Sequence, residues 1–272
     1  MSRINKIAEK AAAANRRLLI PYLVAGDPSL EATTALMYKL VEQGADIIEL
    51  GIPFSDPSSD GPVIQRGVER SLAKGTTLKQ VLELVAKFRE SDTATAIVLM
   101  GYLNPVEIMG YKAFAEAARA SGVDGVLTVD LPPMEAGELH AVLRANEIDT
   151  IFLVAPTTRD ERVASIVEHC SGYLYYVSLK GVTGAALIDF DSVTANINKL
   201  REKTALPIVI GFGIKDAGSA AAMGKLADGV IIGSALVEKI GLLADQVELD
   251  EKLLSDTVSV ISQAREALDK LV

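Results

Sequence analysis

The chain has 272 residues, of which 49% are hydrophobic and 23% charged, and its formal net charge at pH 7 is -9. A chain of this length buries roughly three quarters of its unfolded surface, so a globular protein with a large core is expected. The acidic balance argues against nucleic acid or an anionic membrane as the main partner. The single cysteine, Cys170, excludes an intramolecular disulfide, and with only His140 and His169 a zinc site is disfavoured. These counts favour a reducing, cytoplasmic location.

The first segment of the chain predicts a helix outside the sheet. Ile4, Ile7, Ala8 and Ala11 recur at helical spacing in a stretch that charged residues interrupt every few positions. Such interruptions are unlike the apolar core of a signal peptide, and no run of about 18 apolar residues follows. The segment is therefore interpreted as a capping helix, and neither a targeting nor a membrane segment is expected.

Eight short apolar runs follow, each with the length of a buried strand. They are LLIPYLV (18–24), DIIEL (46–50), AIVLM (96–100), GVLTV (125–129), TIFLV (150–154), YLYYV (173–177), PIVI (207–210) and GVIIG (229–233). Amphipathic stretches with helical periodicity lie between them, and several end at glycine. Continuously apolar strands alternating with helices indicate a parallel sheet covered by helices, and this pattern matches a closed (β/α)8 barrel of about 250 residues. We therefore predict an α/β fold with one barrel domain over residues 1–272.

An open doubly wound sheet is the alternative arrangement for the same pattern. The first turn from strand to helix, VAGDPSLE (24–31), lacks the G-x-G-x-x-G fingerprint of a dinucleotide site. The second and third strands are separated by a long segment that includes PFSDPSSDGPVIQRGVERSLAKGTT (53–77). A long loop after a barrel strand lies at the C-terminal face, where such barrels build their active sites.

Glu49, in the second apolar run, is the strongest candidate for a catalytic group. It shares a strand face with Ile47, and if that face points into the barrel, desolvation raises the pKa of the carboxyl group toward neutrality. A structural carboxylate held by a hydrogen bond or a lysine is the alternative. For Asp60, in the following loop, an Asx turn or a helix cap before Gly61 and Pro62 is an equally good explanation. Only its pairing with Glu49 makes Asp60 the second catalytic candidate.

Glycines after the last two strands indicate a phosphate site. Gly211, Gly213, Gly233 and Ser234 stand just ahead of predicted helices, where backbone N–H groups bind an anion without Lys or Arg. Barrels commonly hold phosphate in these two loops, and turn-making glycine is the alternative. A third glycine-rich loop, LKGVTGAAL (179–187), follows the sixth strand and is interpreted as a lid or a surface loop.

Aromatic side chains in or after the strands are candidates for a pocket that takes a flat aromatic substrate, although core packing is the commoner explanation for each. They are Tyr22, Tyr102, Tyr173, Tyr175 and Phe212. The two histidines fall in predicted helices and are interpreted as surface or packing residues. Cys170 has no neighbouring base in sequence and is interpreted as inert.

Six motifs occur together, in order and at barrel-loop positions: PYLVAGDP, IELGIPFSDPSSDGPVIQRG, MGYLNP, GVDGVLTVDLPP, YYVSLKGVTGA and GFGIKDA. In this combination the whole chain resembles the tryptophan synthase alpha subunit family. The resemblance implies a TIM-type barrel acting as a lyase, which cleaves indole-3-glycerol phosphate to indole and D-glyceraldehyde 3-phosphate in tryptophan biosynthesis. It implies no cofactor in this chain, because the family's pyridoxal phosphate belongs to the beta subunit. That subunit is the implied partner, in an alpha-beta-beta-alpha tetramer.

The resemblance also implies the site. Glu49 and Asp60 are the expected catalytic pair: Glu49 moves protons, and Asp60 accepts the hydrogen bond of the indole N–H. The expected substrate-binding residues are Tyr22, Met100, Tyr102, Leu127, Tyr175, Thr183 and Phe212. The expected phosphate-binding residues are Gly184, Gly213, Gly233 and Ser234, and no metal is expected.

Two segments depart from the family pattern. Ser58 and Ser59 stand where an apolar residue and Ala are more frequent, and Leu179-Lys180 begin the lid where an Arg is frequent. Both departures lie in loops, so they bear on loop dynamics and the partner interface and leave the expected chemistry intact.

Two rival functions stay open. Another phosphosugar barrel, such as an isomerase or indole-glycerol phosphate synthase, needs a catalytic lysine at a strand end, and the eight apolar runs contain none. A non-catalytic or weakly active activator subunit of the same complex is the second rival, and only an assay distinguishes it.

Overall fold

Eight parallel strands pair in chain order, and β8 pairs with β1 to close the sheet into a barrel. The computed structural model describes residues 2–178, 189–211, 213–246 and 248–271. The strands are β1 (Leu18–Val24), β2 (Ile47–Gly51), β3 (Ala96–Gly101), β4 (Gly125–Thr128), β5 (Asp149–Val154), β6 (Leu174–Val177), β7 (Ile208–Gly211) and β8 (Gly229–Ile232). The predicted barrel is confirmed, every strand end lies within one residue of its predicted position, and the open-sheet alternative is wrong.

Helices follow the strands and cover the outside of the barrel. In the described residues they are α1 (Arg3–Ala13), α2 (Leu30–Glu42), α3 (Pro62–Ala73), α4 (Leu78–Arg89), α5 (Leu103–Met109), α6 (Tyr111–Ser121), α7 (Gly137–Ala145), α8 (Asp160–His169), α9 (Phe190–Arg201), α10 (Ala217–Gly224), α11 (Ser234–Gly241), α12 (Glu251–Thr257) and α13 (Ser259–Asp269). Within these residues no helix is long and apolar enough to span a bilayer. Two helices, α3 and α4, connect β2 to β3, which accounts for the long segment noted in the sequence. The extent of one domain over residues 1–272 stays a prediction.

Alternate residues of each strand pack in two separate cores. In β1, Leu19 and Leu23 belong to the cluster between strands and helices, whereas Ile20 belongs to the cluster inside the barrel. In β2, Ile47 belongs to the interior cluster, so Glu49, two residues later, shares the inward face. The condition on which the catalytic interpretation of Glu49 depended is therefore met.

The N-terminal helix closes the barrel at the end where the strands begin. Ile4, Ala8 and Ala11 are buried in the interior cluster, and Ile7 packs against it. Arg3, at the start of α1, binds Asp124 just ahead of β4, with 2.6 Å between Nη1 and Oδ1. The predicted capping helix is confirmed, and the opposite, C-terminal face stays open for the long loops.

Three aspartates at strand starts tie neighbouring strands together. Each stands just before an even-numbered strand, and one carboxylate oxygen accepts a backbone N–H from the preceding strand. The pairs are Leu19 N to Asp46 at 2.9 Å, Ile97 N to Asp124 at 2.8 Å and Ile208 N to Asp228 at 2.9 Å. Because each aspartate also binds at least one arginine, these contacts hold the N-terminal ends of the strands in register.

Asp124→Asn is expected to lower the free energy of unfolding by about 2 kcal/mol. The reason is that Asp124 is buried and its charge is shared by two arginines, Arg3 and Arg89, so the neutral amide leaves buried donors poorly paired. Urea unfolding measures the change. The matched control is Asp256→Asn, which breaks an exposed pair with Lys252 and should change the free energy by less than about 0.5 kcal/mol. Equal losses in the two variants would contradict the prediction.

Candidate active site

Glu49 stands in the middle of β2 and is completely buried. Its Cα is paired with Tyr22 of β1 and Val98 of β3, which places the side chain between two strands on the inner face. The chain leaves β2 two residues later and enters the loop that carries Asp60. The carboxylate therefore lies inside the barrel, below the long loop of the C-terminal face.

The two oxygens of Glu49 have different environments. Tyr173 Oη donates a hydrogen bond to Oε1 at 2.5 Å, whereas Oε2 is buried without a hydrogen-bond partner in the described residues. Burial raises the pKa of Glu49 from its ordinary 4.5 to about 7, and the hydrogen bond from Tyr173 opposes that rise. Burial and the nearby Glu49 also raise the pKa of Tyr173, so its hydroxyl stays the donor. The arrangement gives a carboxyl group that gains or loses a proton near neutral pH through one free oxygen.

Asp60 lies at the end of the turn that precedes α3. Its Oδ2 accepts a hydrogen bond from Tyr102 Oη at 2.9 Å, and its backbone carbonyl accepts one from Gln65 Nε2 at 2.9 Å. Burial raises the pKa of Asp60, while the hydrogen bond from Tyr102 lowers it. The N-cap of α3 is Gly61, with no side-chain cap, so the helix-cap interpretation of Asp60 is wrong.

Tyr22 and Tyr175 are buried tyrosines on two strands whose hydroxyl groups feel the charges of both carboxylates. The negative charges of both Glu49 and Asp60 raise the pKa of Tyr22 on β1 and of Tyr175 on β6, after the larger effect of burial. Both tyrosines therefore face the space that holds the two acids. The structure thus brings together four of the residues that the sequence predicted.

The remaining predicted lining residues in the described part lie on the same inner face. Leu127 of β4 is buried in the interior cluster, and the partly buried Met100, its register partner in β3, packs against that cluster. Tyr102 follows β3 and is buried beside the Asp60 loop. The predicted residues Thr183, Gly184 and Phe212 lie outside the described residues, as does the whole predicted lid, 179–187.

Two glycines at strand ends are required by the tyrosines above them. A Cβ on Gly51 would come within 2.3 Å of Tyr22 Oη, and a Cβ on Gly211 within 2.1 Å of Tyr175 Oη. These distances are far below contact distance, so a side chain at either position would displace a tyrosine. Gly211, which the sequence offered as a phosphate-loop glycine, thus ends β7 where it makes room for the pocket wall.

The predicted phosphate residues that the structure describes, Gly213, Gly233 and Ser234, lie after β7 and β8, which are neighbours in the barrel. Gly213 has a φ of 78°, which favours glycine, and Gly233 is the N-cap of α11, in which Ser234 is the first residue. A Cβ built on Gly233 would lie 3.5 Å from Tyr22, so this helix start adjoins the pocket. Backbone N–H groups at the start of α11 are free to bind an anion there.

Sequence reasoning missed the contact between Tyr173 and Glu49. Tyr173 was assigned only to the pocket wall, yet it is completely buried and donates to the catalytic candidate. Its place on the same strand face as Tyr175 was a signal that it points inward, but nothing in the sequence indicated its partner on β2.

The two histidines lie in helices outside the barrel, and Cys170 reaches the site only through the backbone, its thiol donating to the carbonyl oxygen of Tyr173 at 3.2 Å. His140 in α7 and His169 in α8 pack edge to face with ring centroids 5.4 Å apart, which confirms that both are packing residues in helices. Burial raises the pKa of the Cys170 thiol to about 12, in agreement with an inert side chain. Among the described residues, no group of three or more His, Cys, Asp or Glu side chains is arranged to hold a metal ion.

Comparisons with known proteins agree with one another. The family model for the tryptophan synthase alpha chain matches residues 8–266. The tryptophan synthase alpha chain of Marinobacter nauticus is 53% identical over 271 residues, covering 100% of this chain and 99% of that protein. Thioalkalivibrio sulfidiphilus has a relative of the same name that is 52% identical over 269 residues, covering 99% of this chain and 100% of the relative.

Solved structures extend the agreement to three dimensions. The crystal structure of tryptophan synthase subunit alpha from Legionella pneumophila superposes with a TM-score of 0.91 at 42% identity and covers 99% of each chain. A tryptophan synthase chain from M. tuberculosis, in an aminoacrylate-bound form, gives a TM-score of 0.86 at 33% identity, covering 98% of this chain and 100% of that one. The chain belongs to the tryptophan synthase alpha chain family.

Proposed function

We propose that this chain is a lyase that cleaves indole-3-glycerol phosphate to indole and D-glyceraldehyde 3-phosphate, with Glu49 and Asp60 as its catalytic pair. The observation that carries the proposal is the buried carboxyl group of Glu49 inside the barrel, which has a pKa of about 7 and one oxygen without a hydrogen-bond partner in the described residues. Membership of the tryptophan synthase alpha chain family supports the substrate.

The reaction is a retro-aldol cleavage, and Glu49 returns to its starting state in it. Protonated Glu49 delivers its proton to indole C3, which places positive charge on the ring nitrogen. The resulting carboxylate then takes the proton of the chain hydroxyl next to C3 while the carbon–carbon bond breaks. Indole and the aldehyde form, and Glu49 is protonated again. The free oxygen, Oε2, is the atom suited to both transfers because Oε1 is already bonded to Tyr173.

Asp60 relieves the charge that develops on the indole ring. As a carboxylate it accepts the hydrogen bond of the ring N–H, which strengthens as positive charge grows there. The partly buried position of Asp60 increases the strength of that interaction by excluding water. Tyr22, Leu127 and Tyr175 supply apolar walls for a flat ring between the two acids.

The phosphate group of the substrate is proposed to bind at Gly213, Gly233 and Ser234, through backbone N–H groups and the start of α11. Gly184 and Thr183 complete the proposed site from the sixth loop, and Phe212 from the seventh. A site made of backbone donors suits a chain whose net charge is -9, because it needs no cluster of basic side chains.

No cofactor or metal is required for these steps, since proton transfer and charge relief are both within reach of carboxylates. We infer that pyridoxal phosphate, which serves the family, is held by the beta subunit alone. We also propose a cytoplasmic location, because the single cysteine, Cys170, is half-buried and forms no disulfide.

The C-terminal face carries a surface suited to a protein partner. Ile108 of α5 is 83% exposed and Met134 of the loop before α7 is 91% exposed, and both lie on segments that follow the C-terminal ends of strands. Contiguous exposed apolar surface is typical of protein contact sites, and these two side chains are the apolar groups that such a contact would cover. We propose that a tryptophan synthase beta subunit covers this face, in an alpha-beta-beta-alpha tetramer.

The test of the function is indole release from indole-3-glycerol phosphate by the purified chain, alone and with its cognate beta subunit. Release of both products at equal rates is expected, faster in the complex. No release in either sample, from folded protein, would favour the activator rival. Conversion of the substrate to an isomer without indole would favour another phosphosugar barrel.

Ile108→Glu is expected to weaken binding of the beta subunit at least tenfold, because a charge replaces an apolar side chain in the proposed contact. Titration of the partner against the rate of indole formation gives the apparent dissociation constant, and the rate of the isolated chain should stay unchanged. Leu242→Glu is the matched control, since Leu242 is 73% exposed at the end of α11, at the opposite face of the barrel. Equal weakening by both variants would contradict the proposed surface.

A further inference from the structure

We propose that Tyr102 is a positioning residue that fixes the Asp60 loop over the pocket through its hydroxyl group. The inference rests on the proposed function and gives this side chain a task beyond lining the substrate pocket. Tyr102 directly follows β3, is only 5% exposed and is the N-cap of α5. Its backbone is therefore anchored to the barrel, while its side chain reaches the loop that leaves the neighbouring strand.

Three contacts join Tyr102 to that loop. Its hydroxyl oxygen accepts the backbone N–H of Ser59 at 2.9 Å and donates to Asp60 Oδ2 at 2.9 Å. Its ring also packs against Phe54, with ring centroids 5.4 Å apart and an angle of 32° between the planes. Contacts at both ends of the segment 54–60 fix the path of the loop as well as the orientation of the carboxylate.

The direction of the hydrogen bonds follows from the chemistry of the groups. The amide of Ser59 has only a proton to give, so the phenol oxygen accepts it and has its own proton left for Asp60. Burial and the charge of Asp60 raise the pKa of Tyr102 to about 12, so the hydroxyl keeps that proton throughout the neutral range. Asp60 is consequently held as an acceptor, the state needed for the indole N–H.

Tyr102 has no competitor for the side chain of Asp60 in the described residues. Tyr22 on β1 and Tyr175 on β6 face the carboxylate at longer range, and no lysine or arginine there pairs with it. A contact to the backbone of Ser59 is also independent of the side chain at that position. This explains how serine at 58 and 59, where the family more often has an apolar residue and alanine, is compatible with an ordered loop.

The first test is Tyr102→Phe, which keeps the ring and its contact with Phe54 but removes the hydroxyl. We expect kcat for indole release to fall about 10- to 100-fold, with a smaller change in KM, because a hydrogen bond to a charged group is lost. The acid limb of the pH profile of kcat/KM should move to higher pH, since that bond lowers the pKa of Asp60. Tyr111→Phe is the matched control: it removes a hydroxyl that donates to the surface residue Glu107 at 2.9 Å and should leave kcat within about twofold.

Two further measurements separate positioning from contact with substrate. In an Asp60→Asn background, Tyr102→Phe should lower kcat by less than a further factor of about three, because Tyr102 acts by positioning the carboxylate that this background lacks. Hydrogen exchange at the Ser59 amide should accelerate at least tenfold in Tyr102→Phe and remain unchanged in Tyr111→Phe.

Losses that multiply in the double variant, or an unchanged Ser59 exchange rate, would overturn the inference. Since amide exchange needs no turnover, it still decides the positioning role if the wild-type chain releases no indole, the result that would refute the proposed function itself.

Discussion

Glu49→Gln is expected to reduce indole release by a factor of about 10² to 10⁴ or more while leaving the barrel folded. The amide has nearly the same shape and still accepts the hydrogen bond of Tyr173, but it carries no proton for indole C3 and takes none from the hydroxyl. Steady-state assay with the beta subunit present measures the loss. The control is Glu107→Gln, which replaces an exposed carboxylate of α5 by an amide and should retain full activity.

The pH dependence of the wild-type enzyme follows from the same group. Glu49 must start protonated in order to protonate C3, so kcat/KM should decline as pH rises through about 7, the pKa to which burial raises this carboxyl group. Asp60 must be ionised, so the rate should also fall on the acid side. A bell-shaped profile whose alkaline limb is independent of residue 49 would argue that another group supplies the proton.

Stability gives an independent readout of Glu49. Its pKa in the folded state, about 7, lies above the ordinary 4.5, so the folded state prefers the protonated form. That contribution to stability is present below pH 4.5 and is lost as pH rises through 7. Glu49→Gln should therefore be more stable than the wild type at pH 8, by about 2 to 4 kcal/mol, and the difference should vanish near pH 4.5. A Glu49→Gln variant that keeps its activity, or one that is less stable than the wild type at pH 8, would contradict the assignment of Glu49 as the group that carries the proton.

The barrel was predictable because its strands are buried on both faces. Such strands leave uninterrupted apolar runs, and Glu49, an acid between the apolar residues of the second run, stood out against them. The period of two then placed Glu49 on the same face as Ile47, and the packing of Ile47 inside the barrel confirms the consequence. The local sequence pattern was sufficient to predict the strands and the face of Glu49, because both depend only on which residues are buried.

The partners of the two acids were not predictable, since they come from distant parts of the chain. Tyr173 meets Glu49 across 124 positions, and Tyr102 meets Asp60 across 42. No local periodicity records which inward-facing residues of different strands touch. The cap predicted as the alternative for Asp60 failed for a related reason: the turn ends one residue later, and Gly61 takes the cap position with an extended backbone. Thr183, Gly184 and Phe212 stay predictions.

The last expected result concerns the phosphate site, where Gly213→Val should raise KM for indole-3-glycerol phosphate about 100-fold, whereas Lys215→Ala should raise it less than about threefold. At a φ of 78°, valine is strained and turns the backbone N–H groups away from the anion, each of which contributes a charge-assisted hydrogen bond. Lys215 only adds charge at the exposed rim of the loop.

Gly75→Val separates strain from binding in this experiment. Gly75 has a φ of 77° with open space around it, in the turn between α3 and α4, so valine there imposes the same backbone strain outside the phosphate loops. Thermal unfolding should show similar losses in the two glycine variants, but KM should rise only for Gly213→Val. Titration with inorganic phosphate should show weakened binding for Gly213→Val and nearly unchanged binding for Lys215→Ala and Gly75→Val, because the backbone N–H groups contact the anion itself. A large rise in KM for Lys215→Ala would mean that basic side chains determine phosphate binding. An equal rise in KM for Gly75→Val and Gly213→Val would mean that general stability determines it, and not the backbone of the last two loops.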